Sequence, residues 1–206
     1  GKTFMLGHQY VYNDFIKYQK TKIDDNFLGN IKYIFAENFY LGPVRKNAGC
    51  FIETATHEIS ILDYLFGPLN NIKISINKTG FSSNTHEDFA EATIRLPNKA
   101  MVSIATSWFM PQKTRKMTIV GDKGIAVFDD CEKKDKLKFY QIPYPKKINN
   151  SSHFFDEKSY KIFIPKIKAK EPLRNELDHF IACIKSKGKP FTDIKHGMRV
   201  TKILTK

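Results

Sequence analysis

The feature that most constrains the fold is a run of short segments in which apolar and polar residues alternate, separated by turn residues. Alternation with a period of two is typical of β-strands that bury one face. Pro97, Asn98 and Lys99 separate two of these segments, and Asp122-Lys123 separates the next two, so each pair is predicted to be a hairpin. The segments predicted as strands are 31–40, 72–80, 89–96, 100–109, 115–121, 124–130, 136–142 and 160–165.

Helical patterns lie on both sides of this β-rich region. Asn13 is predicted to cap a helix over 14–25, and Gly67-Pro68 ends a second helix that starts near residue 50. Pro172 begins a third helix, and a last one is expected over 194–205. This order predicts an α+β fold, in which helices pack on one face of an open, mixed and largely antiparallel β-sheet. The polar stretch 143–158 is predicted to be an exposed loop.

Charge and apolar content narrow the class of protein. Hydrophobic residues make up 41% of the 206-residue chain, and no apolar run approaches the ~20 residues that span a bilayer. We therefore expect no membrane partner and, without a signal-peptide pattern, a cytoplasmic location. The net charge is +13, but the lysines are spread along the chain, so we expect an anionic small substrate rather than nucleic acid as the partner.

Glu53 and His57 are the strongest candidates for chemistry in the sequence. Residues four apart share one face of a helix, and a carboxylate beside an imidazole can support acid/base catalysis near neutral pH. From the spacing alone, a surface pair at a helix start is the favoured explanation. A metal site is not predicted, because His8, His86 and His153 offer no recognisable ligand spacing.

No GxGxxG, GxxxxGK[ST] or GxSxG motif occurs in the chain. The sequence therefore contains no self-contained dinucleotide fingerprint, P-loop or nucleophile elbow. It also begins without Met, at "GKTFMLG". We interpret this start either as a cut inside a larger protein, whose missing N-terminal domain could hold a cofactor, or as the result of processing.

Five segments together resemble the C-terminal domain of the Gfo/Idh/MocA family of NAD(P)-dependent sugar oxidoreductases. They occur in the family's order and cover nearly the whole chain. One of them resembles the loop and helix that usually read Asp-x-x-x-His-Asp-Ile in this family. The segments are "FMLGHQYVYND", "LGNIKYI", "LGPVRKNAGCFIETATHEISIL", "SWFMPQKTRKMTIVGDKGIAVFDD" and "PLRNELDHFIACIKSKGKPFTD".

The resemblance implies a two-domain enzyme of which this chain supplies the second part. Residues 1–8 would be the end of a missing dinucleotide-binding domain, and residues 9–206 the α+β domain for substrate binding and oligomerisation. NAD or NADP would be bound mainly by the missing domain. The substrate would be a sugar or sugar nucleotide, and the sheet face would join chains into a homo-oligomer, a dimer or tetramer.

The resemblance also implies roles for individual residues. His57 takes the position of the family's acid/base histidine, and Glu53 takes that of the Asp four residues before it, as the group that orients the imidazole. Glu53 is one methylene longer than the usual Asp, and Glu58 similarly replaces the Asp after the histidine. Arg45 could grip an anionic group of the substrate, and Gln9 could approach the cofactor.

Two further expectations concern the strands. Trp108 is predicted to lie in the core, while Lys113 and Arg115 are predicted to lie on a solvent-facing strand edge. The function implied is hydride transfer between a nicotinamide cofactor and a sugar or sugar nucleotide, with no turnover by the 206 residues alone. The alternative is a non-catalytic protein-interaction domain of the same fold that only dimerises.

Overall fold

A computed structural model describes residues 2–81, 86–142 and 160–206. The predicted loop 143–158 lies outside the described residues. A short 3-10 helix, Gln9–Tyr12, precedes the first α-helix. The four α-helices are α1 (Asp14–Asp24), α2 (Cys50–Phe66), α3 (Pro172–Ser186) and α4 (Ile194–Leu204). The strands are β1 (Ile31–Leu41), β2 (Ile74–Thr79), β3 (Phe89–Arg95), β4 (Met101–Ser107), β5 (Phe109–Gly121), β6 (Ile125–Asp129), β7 (Leu137–Gln141) and β8 (Lys161–Phe163).

The described strands form one sheet of eight in the order β2-β3-β4-β1-β5-β6-β7-β8. All neighbouring pairs are antiparallel except β1 with β4, which run parallel. The first strand therefore lies in the middle of the sheet, and α2 with the β2–β4 meander forms the crossover that a parallel pair requires. The predicted mixed, largely antiparallel α+β fold is confirmed.

The two faces of the sheet differ because side chains alternate along each strand. In β1, Ile34 and Ala36 are buried toward the helices, while Tyr33 and Phe35 are exposed on the opposite face. Phe51, on α2, is among the side chains that fill the core between helix and sheet. Burying an apolar side chain of this size contributes about 2 kcal/mol relative to exposure, so the helix layer is held firmly on one face.

Local signals in the sequence explain several of the element boundaries. The Asn13 side chain accepts a hydrogen bond of 2.9 Å from the Phe15 amide and caps α1, as predicted. Trp108 is fully buried, as predicted, and is the one residue between β4 and β5. β5 begins at Phe109 rather than at 115, so it is longer than the sequence indicated. Across the described ranges, no helix combines the length and apolarity needed to cross a bilayer.

Candidate functional site

The N-terminal half of α2 forms one wall of the candidate site. Its first turn is fixed by a distant side chain, since the Phe51 amide donates a 3.1 Å hydrogen bond to Glu87 Oε1. A carboxylate at this end of a helix satisfies a free amide and complements the helix dipole. Glu53 and His57, on this half of α2, lie near β5 and the segment that follows β1.

A cleft of about 450 Å³ lies between these elements. The volume is within the range of small-molecule sites. The cleft is built from the end of β1, the start of α2 and the middle of β5. Its lining residues are Tyr40, Leu41, Gly42, Pro43, Glu53, Thr54, His57, Lys113 and Arg115.

Glu53 and His57 both line this cleft, but their polar atoms have different surroundings. Glu53 Oε1 accepts a hydrogen bond of 2.8 Å from Arg45 Nε. Within the described residues, neither Glu53 Oε2 nor His57 Nδ1 has a hydrogen-bond partner, although both atoms are buried. The helical spacing thus places Glu53 and His57 on one face of α2. The Glu53 carboxylate, however, is hydrogen-bonded to Arg45 and not to His57.

The structure places the other two candidates differently. Arg45 joins the site through its ion pair with Glu53, and its side chain is 61% exposed. Gln9 instead lines a second cleft of about 410 Å³, next to Tyr10 and Lys136. The described part of the chain therefore brings Glu53, His57 and Arg45 together, and Gln9 lies apart from them. No cluster of three or more His, Cys, Asp or Glu side chains within these ranges is arranged to hold a metal ion.

Arg115 is the main residue that sequence reasoning misplaced. It was predicted on a solvent-facing strand edge, but its side chain is 23% exposed and it lies on the helix side of the sheet, beside Asn38 of β1. Its guanidinium donates a hydrogen bond to the Tyr10 hydroxyl and lies 3.7 Å from Asp130 Oδ2. Arg115 lies two residues before buried Met117 on β5, so both side chains point to the same face of the sheet. The prediction is wrong because it considered the charge of Arg115 and not this alternation.

His57 is held in its neutral form. Burial, with the nearby positive charge of Arg115 as a second cause, lowers the pKa of His57 to about 4. The Tyr10 ring packs against the imidazole with ring centroids 5.0 Å apart. A neutral imidazole can accept a proton, as a general base must. Its pKa nevertheless lies below the neutral range expected from the Glu53–His57 spacing, because burial lowers it and the Glu53 carboxylate is engaged by Arg45.

Glu58 follows His57 on α2, and its side chain is buried between the helix and the sheet. Its Oε1 accepts a 3.0 Å hydrogen bond from Asn38 Nδ2. Burial raises the pKa of Glu58 to about 7, against the opposing effect of Arg115. The sequence showed Glu58 only as a departure from the family pattern, because the partners that surround it come from β1 and β5.

A second polar cluster joins the other half of α2 to α4 and to the N-terminal segment. Asp63 accepts bidentate hydrogen bonds from Arg199, at 2.8 and 2.7 Å, and a 2.8 Å bond from the Leu69 amide. His196 Nδ1 lies 2.9 Å from Asp63 Oδ2, and His196 Nε2 lies 3.0 Å from His8 Nδ1. These contacts tie α2, α4 and the start of the chain together.

The mixed sheet and its single helix layer define the class of protein to which the chain belongs. Residues 20–205 match the model described as "Oxidoreductase family, C-terminal alpha/beta domain". The chain belongs to the Gfo/Idh/MocA oxidoreductase family and represents its C-terminal domain. No curated protein sequence matches the chain.

Solved structures of enzymes share this fold. An aldose-aldose oxidoreductase from Caulobacter crescentus is 15% identical, with a TM-score of 0.80 over 100% of this chain and 60% of that one. UDP-N-acetylglucosamine 3-dehydrogenase GnnA from Acidithiobacillus ferrooxidans is 16% identical, with a TM-score of 0.74 over 95% and 59%. The WlbA dehydrogenase from Bordetella pertussis, in complex with NADH and UDP-GlcNAcA, is 20% identical, with a TM-score of 0.71 over 98% and 59%. The chain thus spans about 60% of the length of these proteins.

Proposed function

We propose that the chain is the substrate-binding and oligomerisation part of an NAD(P)-dependent oxidoreductase that acts on a sugar or sugar nucleotide. The observation that carries the proposal is the 450 Å³ cleft lined by both His57 and Glu53 of α2. The family and the dehydrogenases that share the fold support the same reaction class. We also propose that the protein is located in the cytoplasm.

In the proposed reaction, His57 removes the proton from a sugar hydroxyl. The imidazole must lie within ~3 Å of that hydroxyl, directly or through one water. The nicotinamide ring, when bound, accepts the hydride from the same carbon. Because residues 9–206 contain no dinucleotide fingerprint, the cofactor would be held chiefly by a preceding domain that ends within residues 1–8. Gln9 would approach it from the neighbouring cleft.

Basic side chains around the cleft favour a substrate with an anionic group. Lys113 and Arg115 line the cleft, and Arg45 stands at its edge beside Glu53. A guanidinium binds phosphate or carboxylate through two parallel hydrogen bonds. We propose that Arg45 exchanges its contact with Glu53 for such a group, which leaves Glu53 free to hydrogen-bond a sugar hydroxyl or the His57 ring.

Nicotinamide reduction tests the proposed function. The protein expressed from its complete coding sequence should reduce NAD⁺ or NADP⁺ with at least one member of a panel of aldoses, inositols and UDP-sugars, followed at 340 nm. UDP-sugars should also shift amide resonances around residues 40–57 in the chain itself. No reduction with any member, together with no shift of those resonances, would reject the proposal.

The sheet face opposite the helices supports the proposed homo-oligomer. Tyr33, Phe35 and Met101 are 49%, 42% and 49% exposed and lie together, since Tyr33 pairs with Met101 in the β1–β4 register. Contiguous apolar side chains on an open sheet face are typical of a protein–protein interface. The same observation supports the alternative function, a domain that only dimerises, so oligomerisation alone does not separate the two.

Introducing charge on this face is expected to dissociate the oligomer. Tyr33→Lys with Phe35→Lys places four lysines in a two-fold interface, and loss of hot-spot contacts worth ~2 kcal/mol or more raises the Kd at least ~30-fold. Light scattering coupled to size exclusion measures the mass. The matched control is Leu177→Lys on α3, which is equally exposed but distant from the sheet face and should leave the mass unchanged. A wild-type monomer at 100 µM would contradict the proposed interface.

A further inference from the structure

A small cavity of about 10 Å³ adjoins His57, and His57 and Arg115 line both this cavity and the open cleft. The lining of the small cavity includes His57 and Glu58 of α2 and Arg115 of β5. A space of this size holds about one water molecule, provided that polar groups surround it.

Three polar atoms of these residues are buried without a hydrogen-bond partner among the described residues. They are His57 Nδ1, Glu58 Oε2 and Arg115 Nε. Buried polar groups in folded proteins are almost always hydrogen-bonded to protein or to ordered water. That three such atoms belong to residues lining the same one-water cavity points to a shared partner.

We propose that one buried water joins His57 Nδ1, Glu58 Oε2 and Arg115 Nε, so that Glu58, and not Glu53, is the carboxylate that positions the His57 imidazole. Glu53 is engaged by Arg45 and lines the open cleft, but it is not among the residues that line the small cavity. The bridge itself depends only on the observed packing. Its catalytic consequence rests on the proposed function.

The hydrogen-bonding capacity of the water links the state of Glu58 to the tautomer of His57. Arg115 Nε–H can only donate, so the water accepts from it. An ionised Glu58 accepts from the water, whose remaining lone pair and hydrogen could serve either tautomer of His57. The negative charge of Glu58 then favours the tautomer whose Nδ1–H is directed toward the carboxylate, which leaves Nε2 unprotonated. A protonated Glu58 carries its hydrogen on Oε2, because Oε1 accepts from Asn38. The water then donates to Nδ1, and Nε2 carries the hydrogen.

The switch should occur near neutral pH. Burial raises the pKa of Glu58 to about 7, and the charge of Arg115 opposes this rise. The other polar or charged residues that line the cavity are Tyr10, from the 3-10 helix, and Lys116, from β5. Asp130 lies beyond Arg115 and is paired with it, which weakens the effect of the guanidinium on Glu58.

His57 itself stays neutral through this range. Burial and the charge of Arg115 hold the pKa of His57 at about 4. His8 lies near His57, and burial lowers the pKa of His8 to about 4. His8 is therefore also neutral in this pH range. Between pH 6 and 9, His57 therefore changes its tautomer but not its charge. In the proposed reaction Nε2 accepts the hydroxyl proton, so oxidation of the sugar should accelerate as pH rises through about 7.

Imidazole ¹⁵N NMR on the chain tests the bridge without any turnover. Wild-type His57 should change from the Nε2–H tautomer below pH 6 to the Nδ1–H tautomer above pH 8, with a midpoint near 7. Glu58→Gln should hold the Nε2–H tautomer at every pH. Its amide oxygen accepts from Asn38, so its NH₂ group must donate to the water, as a protonated Glu58 would.

Glu53→Gln is the matched control, since it removes the other carboxylate of the same helix, and it should leave the tautomer switch unchanged. The proposal is overturned if wild-type His57 keeps one tautomer from pH 6 to 9, or if Glu53→Gln abolishes the switch while Glu58→Gln does not. The wild-type titration is decisive even if Glu58→Gln fails to fold. Failure of the proposed function would leave these NMR results unaffected.

Discussion

Replacing Asp63 by Asn is expected to lower the free energy of unfolding at pH 7 by about 3 kcal/mol, the largest stability change anticipated for a single polar residue here. Asp63 is buried and accepts hydrogen bonds from Arg199, His196 and the Leu69 amide. The variant leaves the partly buried Arg199 guanidinium without its counter-charge. Because this cluster ties α2 to α4, the loss should appear in the cooperative urea transition.

The matched control is Asp178→Asn, at the exposed Arg174–Asp178 pair. Arg174 Nε lies 3.1 Å from Asp178 Oδ1, and the two side chains are 73% and 45% exposed. Exposed ion pairs of this kind contribute about 0–1 kcal/mol to the free energy of unfolding. Equal losses in the two variants would contradict the assigned role of the Asp63 cluster.

The pH dependence of the loss checks its electrostatic origin. Burial alone would raise the pKa of Asp63, but the hydrogen bonds from Arg199 and His196 outweigh it and hold the pKa at about 2, below the ordinary 3.8. The ionised side chain therefore stabilises the folded state above pH 4, and this contribution is lost as pH falls through about 2. The difference between wild type and Asp63→Asn should shrink over the same interval.

The fold was largely predictable because its signals are local. Alternation identified the strands, and turn residues such as Pro97 and Asp122 separated the members of the hairpins. The position of β1 between β4 and β5 was not predictable from these patterns, since a parallel pairing joins segments about 70 residues apart in sequence. Such a pairing is decided by the packing of α2 over the sheet, which no single segment encodes.

Only the part of the candidate site that lies on a single helix, α2, could be predicted from the sequence. Helical spacing and the family resemblance identified Glu53 and His57, and both line the same cleft. The resemblance alone suggested Gln9, which lies in another cleft. Arg115 was assigned to solvent because charged residues on strands are usually exposed; its inward side chain depends on Tyr10 and Asp130, residues that only the tertiary fold brings near.

These contacts change how the usual Asp-x-x-x-His-Asp pattern is interpreted in this chain. Both acidic positions carry Glu, and the longer side chains reach different partners: Glu53 reaches Arg45, while Glu58 reaches Asn38 across the helix–sheet interface. Glu58 lines the small cavity beside the imidazole, whereas Glu53 lines the open cleft. The two carboxylates are therefore expected to affect binding and proton transfer separately.

His57→Asn is expected to reduce kcat ~10²–10⁴-fold in the protein expressed from its complete coding sequence, since general base catalysis contributes a factor of this size. Asn keeps a polar side chain of similar reach but accepts no proton at neutral pH. Because cofactor binding would not involve this side chain, the affinity for NAD(P)H, measured by nicotinamide fluorescence, should remain within ~2-fold of wild type.

The matched control is His179→Asn, which makes the same chemical change on α3, where the ring stacks on Phe191 at 4.3 Å between centroids. It should retain wild-type kcat, although a small loss of stability is expected. The residual activity of His57→Asn should no longer rise through pH 7, because the titration of Glu58 then has no imidazole to act upon. Full activity of His57→Asn would remove the acid/base role and, with it, the chemical basis of the proposed enzyme. The alternative proposal, a domain that only dimerises, would then be favoured.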